Sequence, residues 1–155
     1  MRFWPASKPT GPNVKTPRDN LWRRIEALNL DMIKFKLMDP EQGKGWTQPK
    51  ADRMATIYKR FLYLTEKYSD KSIIPTAELD EVWHAHILDT RKYAEDCEKT
   101  FGHFVHHFPY LGMRGPEDAK RAAESFAETS RLFLEEFGEP LANETWAEAG
   151  RCDTG

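Results

Sequence analysis

Residues 78–115 read ELDEVWHAHILDTRKYAEDCEKTFGHFVHHFPYLGMRG, and they hold all five histidines of a 155-residue chain: His84, His86, His103, His106 and His107. The first part of this stretch has helical periodicity. On a wheel at about 100° per residue, Leu79, Val82, Trp83, His86, Ile87, Thr90, Ala94 and Cys97 fall on one broad apolar stripe. The spacing predicts a helix from Ala77 to Thr100 with that stripe in the core. Thr76 suits its N-cap, and Gly102 suits the C′ position, where a left-handed residue is needed. The segment HFVHHFPYLGMRG (103–115) then reads as a histidine-rich loop.

Working outward, the same period recurs on both sides. Thr16-Pro17 resembles an N-cap followed by proline at the first helical position. Leu21, Trp22, Ile25 and Leu28 follow at helical spacing, and Leu30, Ile33 and Leu37 form a second set with Met32 and Phe35 alongside. Asn29 is placed to break the two halves, and Asp39-Pro40 stops the run. A third helix is expected near Pro49 to Tyr68, with Met54, Ile57, Tyr58, Phe61, Leu62 and Tyr68 inward. Pro116, Glu117 and Asp118 open a last long helix with proline and acids in its first turn. Its expected inner face is Ala119, Ala122, Ala123, Phe126, Phe133, Leu134 and Phe137, and Gly138 ends it. No strand pattern exceeds a few residues. The expectation is an all-α protein, a bundle of four to five helices. It divides into an extended arm (1–16), a single helical domain (17–140) and a C-terminal tail (141–155). Phe3 and Trp4 are placed to dock the arm, and Trp146 to form a short turn in the tail.

Composition narrows the class of function. Lys and Arg total 23 against 25 Asp and Glu, a net charge of −2, with the cations scattered. That disfavours a nucleic-acid partner. Two cysteines, Cys97 and Cys152, make no disulfide framework. No apolar run approaches the ~18 residues of a membrane span. The N-terminal residues lack the apolar core of a signal peptide, so the expected location is the cytoplasm. Metalloprotease, zinc-ribbon, dinucleotide, phosphate-loop and serine-hydrolase motifs are all missing.

The histidines therefore carry the functional reading. Asp80 and His84 lie four apart on the predicted helix, so their side chains are neighbours, with Arg91 on the same flanking stripe. His84 and His86 point about 200° apart and cannot readily share an ion from a regular helix. If the loop after Gly102 doubles back, His107 joins Asp80 and His84 in a two-histidine, one-carboxylate set. Such a set suits iron(II) with open positions, or catalytic zinc. Three histidines, His84, His86 and His107, would suit copper or zinc if the helix is distorted. His86, on an apolar stripe, reads more readily as a core histidine than as a ligand, His103 as exposed loop, and Cys97 as a small buried apolar residue.

The stretch LDEVWHAHILDTRKYAEDCEKTFGHFVHHFPYLGMRG closely resembles the glycine-rich domain-containing-protein-like family, a domain of unknown function. The resemblance rests on Asp80, Trp83-His84-x-His86, Leu88 to Thr90, Tyr93, Cys97, Phe101-Gly102 and His107-x-Pro109. Weaker matches are LDMIKFKL, Gly45-Trp46 and YKRFLYL, giving coverage of about residues 28–115. Plant members carry glycine-rich and sometimes RNA-binding parts that have no counterpart here, so the RNA association is not carried over. The resemblance implies no catalytic residues.

Two functions follow as expectations. The first is a small metal-dependent enzyme, an oxidoreductase using iron or copper or, as second choice, a zinc hydrolase. Its catalytic residues would be Asp80, His84 and His107, its metal ligands these three with His86, and its substrate a small molecule or peptide. The second is a non-catalytic helical interaction module in which Asp80, Trp83, His84 and His107 form a structural polar network. Metal-free acid–base chemistry by the Asp–His pair is a third.

Overall fold

The computed structural model describes residues 14–141. It is all-α, with six helices and no strand among the described residues: α1 (Asn20–Glu26), α2 (Asp31–Met38), α3 (Gln48–Lys67), α4 (Ala77–Leu88), α5 (Thr90–Phe101) and α6 (Pro116–Phe137). The expected docking of Phe3 and Trp4 and the short turn at Trp146 lie outside the described residues.

α3 is the central element and packs against α1, α2, α4 and α6. Its start is set by Thr47, whose hydroxyl accepts from the Lys50 N–H, with proline in the first turn. Tyr58, Phe61, Leu62, Tyr63 and Leu64 from α3 are all buried, and they meet Ile25, Ile33, Leu79, Trp83, Tyr93 and Phe137 from every other helix. The core is thus built on aromatic rings in edge-to-face contact. Phe61 on Trp83 (5.2 Å, 64°) and Trp22 on Tyr63 (5.8 Å, 84°) are two of these pairs.

Four local expectations hold. Asn29 separates α1 from α2, and its side chain accepts from the Asp31 N–H at 2.9 Å. Thr76 caps α4 by accepting from Leu79 N, and Gly102 ends α5 in the left-handed region at φ 77°. Gly138 ends α6 in the same way.

Four others are corrected. α1 begins at Asn20, because Asp19 rather than Thr16 supplies the cap: its carboxylate accepts from Trp22 N at 2.8 Å and from the Tyr63 hydroxyl at 2.6 Å. On α6 the expected Phe126, Phe133 and Phe137 are buried and Leu132 joins them, while the expected Ala119, Ala123 and Leu134 face outward. Met32 and Phe35 are exposed on the outer side of α2.

The last correction matters most. The helix expected from Ala77 to Thr100 is two helices, broken at Asp89, where ψ is 73°. The helix count is therefore six rather than four or five. Beyond the break the buried positions are Tyr93, Cys97 and Thr100, and the predicted Thr90 and Ala94 are exposed. The physical reason lies in two contacts. Residues ten apart on a straight helix sit about 15 Å apart along its axis. Yet Trp83 Nε1 donates to the Tyr93 hydroxyl at 2.9 Å, and His86 Nε2 meets Asp96 at 2.8 Å. Both bonds require α5 to turn back on α4. A buried indole and a buried imidazole each gain a partner by it, and burying either without one is costly.

Candidate metal centre

α4 supplies two of the three side chains. Asp80 stands in its first turn, where the helix dipole favours an acid, and His84 follows one turn later on the same face. His84 Nε2 lies 3.3 Å from Asp80 Oδ2.

The third group arrives from the loop between α5 and α6, and that loop is tied at several points. The buried Tyr93 hydroxyl, already accepting from Trp83, donates to Val105 O at 2.5 Å. The Cys97 thiol sits beside this junction, within reach of the Tyr93 hydroxyl and the Val105 peptide, and burial pushes its pKa up. It is not among the residues whose ligand atoms converge with those of Asp80, His84 and His107. Farther along, the buried Asp118 carboxylate on α6 accepts from the backbone N–H of Gly112 at 2.7 Å and takes the Arg114 guanidinium at 2.9 Å. His103 lies at the surface and pairs with Glu66 of α3 at 3.0 Å.

So tethered, the loop turns back and sets His107 Nε2 2.6 Å from Asp80 Oδ1. Its ring also lies on the Trp83 indole, with centroids 4.3 Å apart, and 5.0 Å from the ring of His84. One carboxylate thus serves two imidazoles, one oxygen to each. Ligand atoms of Asp80, His84 and His107 all lie within 4.8 Å of one another. The centre is layered: His107 is largely buried (14% exposed), Asp80 less so (33%) and His84 half-exposed (48%). One wall is indole and the other side is open to solvent.

Two nitrogens and a carboxylate oxygen around one point are the donor set of a facial two-histidine, one-carboxylate site or of a three-ligand zinc site. Donors on a tetrahedral ion at ~2.0–2.1 Å would stand roughly 3.3 Å apart. The His84–Asp80 contact already matches. The 2.6 Å His107–Asp80 contact is a hydrogen bond and has to lose its proton and open by about 0.7 Å for both atoms to face an ion. That shift lies within reach of a loop side chain.

His86, the fourth expected ligand, is not brought to this cluster. It is buried (2% exposed) on the opposite side of α4, and both ring nitrogens are engaged, Nδ1 with the Tyr58 hydroxyl and Nε2 with Asp96, each at 2.8 Å. The alternative set of His84, His86 and His107 is therefore not assembled, because α4 stays regular through these residues. Burial lowers the pKa of His86, with Asp96 opposing. His103 and His106 are exposed, His106 against the Phe104 ring, and Arg91 is exposed on α5, beyond the break. Sequence reasoning missed Asp96, Asp118 and Glu66. Each pairs across elements, and two of them carry a local signal: Arg114 four residues before Asp118 and Lys92 four residues before Asp96.

The comparisons agree with the sequence resemblance. The family model described as UCP032817-like matches residues 25–131, most of the chain. Glycine-rich domain-containing protein 1 and glycine-rich domain-containing protein 2 of Arabidopsis thaliana are each 32% identical to it over 85 residues. These matches cover 52% of this chain but only 10% of each relative, so the shared domain is a small part of those proteins. No solved structure matches the chain. Among the described residues no helix is long and apolar enough to cross a membrane.

Proposed function

Because the chain belongs to the UCP032817-like family, whose matched segment contains every residue of the Asp80–His84–His107 cluster, we propose that this cluster is a metal centre and that the protein is a small metal-dependent enzyme. Asp80, His84 and His107 hold one divalent transition ion. His86 has no part in it. Iron or copper is the preferred metal and oxidoreductase chemistry the preferred class, since a two-histidine, one-carboxylate set leaves positions open for oxygen or substrate. Zinc, which would lower the pKa of a bound water toward ~7 for hydrolysis, is the second choice. The substrate is a small molecule or peptide reaching the ion from the side of half-exposed His84, and the location is the cytoplasm. Neither nucleic acid nor membrane enters this reading, in keeping with a net charge of −2.

The observation that carries the proposal is the convergence of three ligand atoms within 4.8 Å from one helix and a distant loop. Trp83 under His107 and the Tyr93–Val105 tie hold the imidazole in place, which is how a metal site gains affinity from its surroundings. The test is elemental analysis of protein purified without chelator. Wild type should carry about one ion per chain, and His84→Ala should carry none while keeping its far-ultraviolet circular dichroism. Stoichiometric metal in His84→Ala would refute the assignment.

A second reading is supported by the 2.6 Å His107–Asp80 bond. In it the cluster is a purely structural network that pins the loop to α4, in an interaction module without chemistry. That reading expects no metal in wild type and a large loss of stability in His107→Ala.

A further inference from the structure

A second polar constellation lies on the opposite side of α4 and uses none of Asp80, His84 and His107. Tyr58, His86 and Asp96 form a chain from the core to the surface of α5, with 2.8 Å at each step. With the carboxylate as acceptor, His86 carries its proton on Nε2 and accepts from the Tyr58 hydroxyl at Nδ1. Lys92 Nζ reaches the same carboxylate oxygen of Asp96, Oδ2, at 3.0 Å. The other oxygen, Oδ1, has no partner among the described residues. Asp96 is mostly buried (15% exposed) and is fixed from behind by two donors, while Oδ1 stays open to solvent and able to accept from a ligand.

Asp96 lines a cleft of about 410 Å³ between α5 and the end of α1 with the turn that follows it. Arg24, Asn29, Lys92, Glu95 and Lys99 also line it. Arg24 spends only its Nε, on Thr100 O at 2.9 Å. That bond fixes the guanidinium plane and leaves both terminal nitrogens without a partner among the described residues. The Lys99 ammonium likewise has none among them. A fixed guanidinium beside an ammonium is the ordinary receptor for a carboxylate or phosphate group. Glu95 and Asp96 on the same walls oppose a purely anionic ligand and favour one that also offers a hydrogen-bond donor.

We propose that this cleft binds a small organic oxyanion, a carboxylate or phosphate ester that also carries a hydroxyl or amino group. Arg24 and Lys99 take the anionic group, and the idle oxygen of Asp96 takes the donor. The site is independent of the metal centre and stands whether or not that centre holds an ion.

The test is a nitrogen–proton NMR titration of the full chain at about 150 mM salt, which screens loose surface association. The probes are glycerol 3-phosphate, malate and inorganic phosphate. Saturable shifts centred on Arg24, Asn29, Asp96 and Lys99 are expected with at least one organic probe, and the tighter of the two tells phosphate ester from carboxylate. Lys99→Ala, an exposed change that leaves the core alone, should weaken binding about tenfold, and Arg24→Lys, which keeps charge but loses the fork, by a similar factor. Inorganic phosphate binding as tightly as the organic probes would overturn the role of Asp96 and with it the ligand class. No saturable shift up to roughly 20 mM of any probe, or unchanged affinity in Lys99→Ala, would overturn the site.

Discussion

Tyr93→Phe tests whether the break at Asp89 and the geometry of the proposed metal centre depend on each other. The hydroxyl accepts from Trp83 Nε1 at 2.9 Å and donates to Val105 O at 2.5 Å, and Tyr93 is 2% exposed. Phenylalanine keeps the ring, so packing against His86 and Phe104 survives. Only the oxygen goes, and with it two hydrogen bonds in a place water does not reach. At about 1–1.5 kcal/mol net for each, the loss is roughly 2–3 kcal/mol. For a chain of this size that lowers Tm by about 5–10 °C. The loss should appear in urea melts followed by circular dichroism, with the tryptophan emission altered because the indole N–H of Trp83 is left without a partner. Val105 stands two residues before His107, so, on the proposed function, loosening its carbonyl should also weaken metal binding at the Asp80–His84–His107 cluster. Stability within ~0.5 kcal/mol of wild type would refute the reasoning, since a bond worth that little cannot be what holds the loop.

The Glu66 carboxylate holds the pKa of His103 above the ordinary imidazole value, so the pair stabilises the loop in full below the unfolded value of ~6.5 and the gain is lost as pH rises through the higher folded pKa. NMR titration of the His103 ring should show the raised midpoint, and Glu66→Gln should return it toward the unfolded value. Gly102→Ala should cost about 1 kcal/mol in urea melts despite open space around the added methyl, because φ is 77° there and the left-handed region is the only strain. Asp80→Asn keeps an oxygen for His107 but removes the charge, so fold stability should stay near wild type while metal affinity, read by competition with a chromophoric chelator, falls by about a hundredfold or more.

Much of this fold is legible because its determinants are local. Thr76, Gly102, Pro116 and Gly138 mark helix ends by chemistry that needs no neighbour beyond four residues, and the structure uses each of them there. The inner face of α3 is equally legible, since a helix surrounded by four others needs a wide apolar stripe. Asp89 is different. Its neighbours continue a helical pattern on both sides, and nothing within four residues requires a break. The break is set by Trp83 reaching Tyr93 and by His86 reaching Asp96, contacts that exist only after the chain has turned. The bond from Asp96 to His86 was invisible for the same reason, although Lys92 stands four residues before it, and Arg114 signals Asp118 locally but not its hold on Gly112, which fixes the far end of a loop.

The spelling Trp-His-x-His now has a physical sense. Two histidines two apart on a regular helix face opposite ways, and α4 is regular through both. His84 faces outward beside Asp80 and waits for His107, while His86 faces inward and is consumed by Tyr58 and Asp96. Trp83 serves both sides, carrying the His107 ring on its face and sending its N–H to Tyr93. The inward histidine thus helps hold α5 folded back on α4, and the folded-back α5 presents the loop that completes the outward cluster. Four consecutive residues therefore do two jobs that a continuous helix would have kept about 15 Å apart. A change at His86 should for that reason disturb the outward cluster without ever touching it.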